Sequence, residues 1–190
     1  MAIDLYDSNG TLSTFNVTVN NRNQSLVLEN VTSAPSAVVM DGTASILMTI
    51  DHAKTEAELM AQAKYATKFL HVYSAVNNLK EDASFAILQD EMLAYPHYSI
   101  RAKAIKEMDV TKVGASDILI KLATNDEHSK VRAAALNALV NVEGTDLNLL
   151  VSKIMKTEQA YPVLGKAVSA LYDSNPEKAL EYTKILAKED

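Results

Sequence analysis

Four histidines are the first candidates for chemistry, because imidazole serves both as a metal ligand and as a proton carrier near neutral pH. They stand at His52, His71, His97 and His128. None falls in H-E-x-x-H, the i, i+4 spacing that sets two imidazoles on one helix face for zinc. Carboxylate pairs can divide acid and base work when their environments differ, and they occur at Glu81-Asp82, Asp90-Glu91 and Asp126-Glu127. Neighbouring residues on a helix point in different directions, and two of these pairs sit where a carboxylate stabilises a helix N-terminus. They read as caps and solvated surface. The chain has no G-x-S-x-G elbow and, with five glycines, no glycine-rich phosphate loop. Zero cysteines remove disulfides, thiolate ligands and cysteine nucleophiles together. No catalytic, cofactor-binding or metal-ligating residue is assigned in this chain.

Arg101 and Arg132 are two of only three arginines. Lining a concave surface, they would bind a carboxylate; packed between neighbouring helical units, they would hold acidic side chains or loop carbonyls. The second reading is preferred, and it predicts that Arg132→Ala lowers thermal stability. His97 and His128, each a few residues upstream of one of these arginines, read as helix-entry residues.

These placements rest on a repeat. HYSIRAKAIKEM from His97, HSKVRAAALNAL from His128 and AYPVLGKAVSAL from Ala160 superpose, setting Arg101, Arg132 and Leu164 in one column. Ala104, Ala135 and Ala167 form a second column, and Met108, Leu139 and Leu171 a third. A weaker copy, FLHVYSAVNNL from Phe69, adds Ala75, so the alanine column advances by 29, 31 and 32 residues (104−75, 135−104, 167−135). A near-constant step of this size marks a helical repeat, whose units bury their apolar faces only by stacking. Small residues in the alanine column let helix axes approach closely. The pattern V-R-x-x-A-x-x-A-L at Val131 to Leu139 resembles the inner helix of a HEAT-type repeat.

The pattern predicts helix pairs at 55–66 with 68–79, 83–94 with 97–109, 116–124 with 128–141 and 145–156 with 160–173, then a single helix from Pro176. Thr55-Glu-Ala-Glu58 fits a capping box. Ser116, Thr145 and Asn175 read as N-caps, with Gly114 and Gly144 ahead of the first two and Pro176 in the first turn after the third. From Ile3 to about Met40 the period is two instead, and it changes to the helical one after the stretch DGTASILMTIDHAKT. IDLY, TFNVTV, SLVLEN and SAVVM read as four short antiparallel strands, with Asn9-Gly10 as a turn and Asp4 and Tyr6 on the face opposite Ile3 and Leu5. Four such strands need a partner for their apolar face, so part of the sheet is expected to lie outside this chain. The start inside a strand carries the same expectation. The sequons at Asn9, Asn16, Asn23 and Asn30 read as polar strand faces and turns rather than glycosylation sites. The division is 1–51, a partial β-sandwich segment and linker, and 52–190, helical repeats.

Hydrophobic residues make up 48% of the 190, which is the composition of a soluble globular protein. No apolar run approaches the roughly 18 residues that span a bilayer, so no membrane partner is expected. The net charge is −6 with scattered lysines, which argues against nucleic acid. The compartment, cytoplasmic or exported, stays open.

The joint between the halves is the most telling stretch. From Ala34 to Leu79 a proline-led strand ending in Asp41 leads through an apolar stretch to K-T-x-x-E-L at Lys54, then Gln62 on an alanine spine and the first repeat. That order resembles the region of aminopeptidase N-like zinc metallopeptidases, of the gluzincin group, where a small β-sandwich hands over to a C-terminal domain of HEAT-like repeats. The resemblance implies a mostly α fold, a HEAT-like α-helical solenoid (α-α superhelix) preceded by a small antiparallel β-sheet. It also implies that H-E-x-x-H, a further glutamate ligand and a G-A-M-E-N-type motif belong to an upstream domain, so zinc is expected there and no cofactor here. The implied role is non-catalytic: a helical domain that caps the cleft of the parent enzyme, with that catalytic domain and the parent's peptide substrates as partners. Val72 and Leu164 depart from the repeat's arginine. The alternative reading is a free-standing HEAT-like scaffold for protein–protein interaction.

Overall fold

A computed structural model describes residues 1–47 and 49–188. Its described residues are mostly helical, with nine helices and one small three-stranded antiparallel sheet. The strands are β1 (Ala2–Tyr6), β2 (Leu12–Asn16) and β3 (Ala37–Met40), in the order β2-β1-β3. The helices are α1 (Glu56–Tyr65), α2 (Phe69–Asn78), α3 (Asp82–Leu93), α4 (Tyr98–Lys106), α5 (Ala115–Asn125), α6 (Ser129–Leu139), α7 (Leu147–Thr157), α8 (Tyr161–Leu171) and α9 (Pro176–Leu186). Contacts gather the chain into two compact units that divide between Glu91 and Met92. The change of hydrophobic period therefore comes well before the division of contacts.

In the first unit β1 is the middle strand, with Ile3 opposite Phe15 on one side and Met40 on the other. The β1–β2 hairpin turns where expected: Asp7 Oδ1 accepts from the Asn9 and Thr11 amides, and Gly10 takes a positive φ of 82°. Three strand expectations are corrected. The second strand is shifted from TFNVTV to Leu12–Asn16, leaving Val17 to Val19 outside it. SLVLEN is not a strand; it pairs with neither outer edge of the three-stranded sheet, so it has no ladder to join. Val27, in the middle of that stretch, stands fully in solvent. The face of β1 read as polar is covered as well, leaving Asp4 and Tyr6 buried, because α1 packs on both β1 and β3. The Tyr6 hydroxyl is held there by Thr67, and burial, reinforced by the charge of Asp4, raises its pKa.

Asp4 has a further neighbour in Gly42. A Cβ on Gly42 would lie 2.2 Å from the Asp4 carboxyl group, so the chain passes β1 here only because this residue has no side chain. Asp41, with a positive φ of 53°, makes the turn out of β3, and its carboxylate accepts from the Ile46 amide and the Thr43 hydroxyl.

In the second unit the even-numbered helices form a row. α6 packs against α4 on one side and α8 on the other; α5 lies on α6, and α7 and α9 on α8. Val131, Ala135, Leu136, Leu139, Val151, Val163, Ala167 and Leu171 have essentially no exposure, and they belong to one continuous core. The Thr55 capping box and the Asn175-Pro176 entry form as expected. Two caps move by one or two residues. α5 starts after Gly114, at φ 88°, with Ser116 inside the helix and its hydroxyl 3.2 Å from that of Thr145. α7 is capped by Asp146 rather than Thr145; the Asp146 carboxylate takes the Leu149 amide, and a negative charge suits a helix N-terminus.

Candidate functional site

Two constellations concentrate polar groups, one in each unit. In the first unit, the segment leaving β3 reaches α1 through Lys54. Its ammonium donates to the Val38 carbonyl at 2.5 Å and to Gln62 Oε1. Gln62 is buried on α1 and donates onward to the His71 carbonyl of α2 at 2.8 Å. One lysine and one glutamine thus tie β3, α1 and α2 together. Burial holds the Lys54 pKa below its ordinary value against the opposing charge of Glu58. Burial also lowers His71, against the pull of Asp4 and of Asp41, whose backbone it hydrogen-bonds.

A cavity of about 610 Å³ opens beside this tie, lined by His52, Lys54, Gln62, His71, Ser74 and Lys80 among others. Its size suits a small molecule. Yet its principal polar groups are spent on the fold: Lys54 and Gln62 on carbonyls and on each other, and Glu56 on the backbone amides of Lys80 and Glu81 at the start of α3. His52 Nδ1 is enclosed without a hydrogen-bond partner, and no hydroxyl nucleophile is paired with it in the hydrogen bonds described.

The second constellation is a pair of equivalent braces. Arg101 Nε and Nη2 donate to the two carboxylate oxygens of Asp126, both at 2.9 Å, while Nη1 donates to the Tyr95 and Pro96 carbonyls. Arg132 repeats this one unit along: Nε and Nη2 donate to Glu158 at 2.6 and 2.8 Å, and Nη1 to the Asp126 and Glu127 carbonyls. The acids are equivalent too, each ending the first helix of a pair and accepting the amide two residues on, His128 or Ala160. Arginine's planar fork suits such two-point contact with a carboxylate. The two arginines of the first column therefore place their charge between helices rather than on an open surface. His97 and His128 accept the Ser99 and Lys130 amides at the helix starts, as a helix-entry role requires. The Tyr98 ring stacks on His128 with centroids 3.7 Å apart.

The braces carry two predictions. Arg132→Ala is expected to lower the melting temperature, with a loss of about 2 kcal/mol, between the exposed and fully buried regimes because both partners keep a little solvent contact. Urea melts of the two proteins measure it, and equal midpoints would remove the structural role. The acids titrate with a definite sign. Burial opposes ionisation of Asp126, but hydrogen bonds from Arg101 and the His128 amide outweigh it and hold the pKa below its ordinary value. The hydrogen bond from Arg132 does the same for Glu158, burial opposing. Each therefore contributes stability that is fully present above the unfolded carboxylate range, about pH 4, and is lost as pH falls through the lowered folded value. Acid melts should show this loss, and Arg132→Ala should make it shallower; parallel profiles would contradict it.

Sequence reasoning placed the arginines and the histidine caps; it gave no role to the tie that Lys54 and Gln62 make. It missed the burial of Asp4 and Asp41 and the Glu56 cap on α3. The only hint of the first two was Asp41-Gly42, where glycine permits a close approach. Of the carboxylate pairs, Glu81-Asp82 stands at the start of α3 and Asp126-Glu127 joins the Arg101 brace, while Asp90-Glu91 is exposed within α3, with Glu91 3.9 Å from Lys64. Among the described residues no three His, Asp or Glu side chains form a group fit for a metal. Nor, among them, is any helix long and apolar enough to cross a membrane. No protein-family model matches the chain, and neither a curated protein nor a solved structure is significantly similar to it.

Proposed function

We propose that this chain is a non-catalytic C-terminal portion of an aminopeptidase N-like zinc metallopeptidase, in which a sheet hands over to HEAT-like repeats that cap the catalytic cleft of an upstream domain. The observation that carries the reading is the tie at the hand-over. The lysine of K-T-x-x-E-L and the glutamine of α1, the residues on which the resemblance rests, join the last strand to the first helix pair. Such a tie suits a domain that must hold its orientation against a neighbour. The row α4-α6-α8 with equivalent arginine braces supports the repeat half of the reading. Two of the histidines, His97 and His128, are engaged as helix caps. In this proposal zinc and the hydrolytic step belong to the upstream domain, as the resemblance implies.

A second reading, a free-standing HEAT-like scaffold, is favoured by the braces alone, because they hold the second unit together from within. The coding sequence upstream of the Met1 codon separates the two. An in-frame H-E-x-x-H helix, and zinc-dependent release of N-terminal amino acids from peptides by the longer product, is the expected result. A start codon with no frame before it would overturn the proposal in favour of the scaffold. Release of amino acids by the 190-residue chain itself would overturn the non-catalytic assignment.

A further inference from the structure

The row of helices in the second unit leaves a groove over α6. Its cavity volume is about 690 Å³, and its floor is Ala133, Ala134 and Ala138, with Ile105 and Met108 on one side and Pro162 on the other. Three lysines line it, Lys106 from α4, Lys130 from α6 and Lys166 from α8, and no carboxylate does. In a chain of net charge −6 this runs against the overall balance.

The other cations nearby are already neutralised. Arg101 and Arg132 are spent on Asp126 and Glu158, and Lys103 on Glu107 at 3.0 Å. Asp109, the next acid along, is turned to the Thr111 hydroxyl. No ion pair among the described residues takes Lys106, Lys130 or Lys166; Lys130 lies over the Tyr98 ring, 5.3 Å from its centroid, and Lys166 reaches Asn137 Oδ1 at 3.2 Å. Their charge is therefore free to act outward.

We propose that this groove docks an acidic segment of a partner protein, with apolar side chains on the alanine floor and carboxylates at Lys106, Lys130 and Lys166. The three positive groups come from three different helices around an apolar floor, which matches a peptide with spaced acids better than one compact anion. Nucleic acid is the poorer fit, because the groove offers no arginine and no aromatic ring among its lining residues for a base to stack on. The inference does not depend on the peptidase reading.

The test uses fluorescein-labelled peptides of mixed Glu and Leu, and the Lys and Leu counterpart, titrated with the full chain and followed by anisotropy. The Glu/Leu peptide is expected to bind and to weaken as salt rises, because exposed charge contacts are screened. The Lys106→Glu/Lys130→Glu/Lys166→Glu variant should lose at least about tenfold in affinity and accept the Lys/Leu peptide instead. A control variant, Lys112→Glu/Lys153→Glu/Lys184→Glu, makes the same charge change away from the groove and should bind like the parent. Melting curves of both variants establish that each is folded. Ala134→Leu, which fills the floor and keeps every lysine, should also weaken binding. Equal losses in groove and control variants would reduce the effect to general electrostatics and overturn the proposal. So would tighter binding of single-stranded DNA than of the acidic peptide, or self-association through the groove seen by sedimentation and abolished by Ala134→Leu.

Discussion

Replacing Arg101 with alanine is expected to cost about 3–5 kcal/mol, the range for breaking a buried pair by removing one partner. The side chains of Arg101 and Asp126 are only 8% and 6% exposed, so the carboxylate left behind has little water to turn to. The Tyr95 and Pro96 carbonyls lose their donor in the same step. Most of the cost is that of the stranded charge, and adding Asp126→Asn should therefore recover about 1 kcal/mol or more. The Asp126 backbone carbonyl, which Arg132 uses, is unaffected by the second change. Urea unfolding of the parent, the two single variants and the double variant completes the cycle. A loss for Arg101→Ala below about 1 kcal/mol would place the pair with ordinary surface ion pairs and remove the brace.

The second large effect is expected from Ala135→Leu. Ala135 has no exposed surface and sits on α6, which packs against α4 and α8 at once. Leucine adds three carbons where neither neighbour has room, so the loss should reach about 3 kcal/mol, the upper end for overpacking. Ala135→Gly, which removes volume and only weakens helix propensity, should cost about 1 kcal/mol. The two variants separate close approach of helices from helix propensity. A leucine variant as stable as the parent would mean that the alanine column serves propensity alone.

Both effects bear on what was legible in advance. The nine helices among the described residues could be read because their signals are local: apolar residues at helical spacing, a stop at the end and, in several of them, a capping side chain. Thr55 with Glu58 and Asn175 with Pro176 are such signals, and they act within a few residues of chain. Caps were misplaced where two candidates stood together, as at Thr145 and Asp146, and the stronger acceptor won. Strands failed differently. SLVLEN has the composition of a strand, but a strand exists only with a partner along its edge, and this stretch pairs with no strand of the sheet.

The candidate site divides along the same line. That Arg101 and Arg132 hold equivalent positions is a property of the sequence, because the repeat sets them in one column. Which acids they hold lies 25 or 26 residues away, at the end of a helix in the next pair, and only the packing of α4, α6 and α8 brings these groups to hydrogen-bonding distance. The tie of Lys54 to Val38 and Gln62, the burial of Asp4 beneath Gly42, and the lysine-lined groove are likewise decided by tertiary structure. By itself the sequence determined a succession of helices after a short β segment, through interactions that span a turn or two of chain. The partners of its charged groups, and the surfaces left open, depend on which distant elements come to lie side by side.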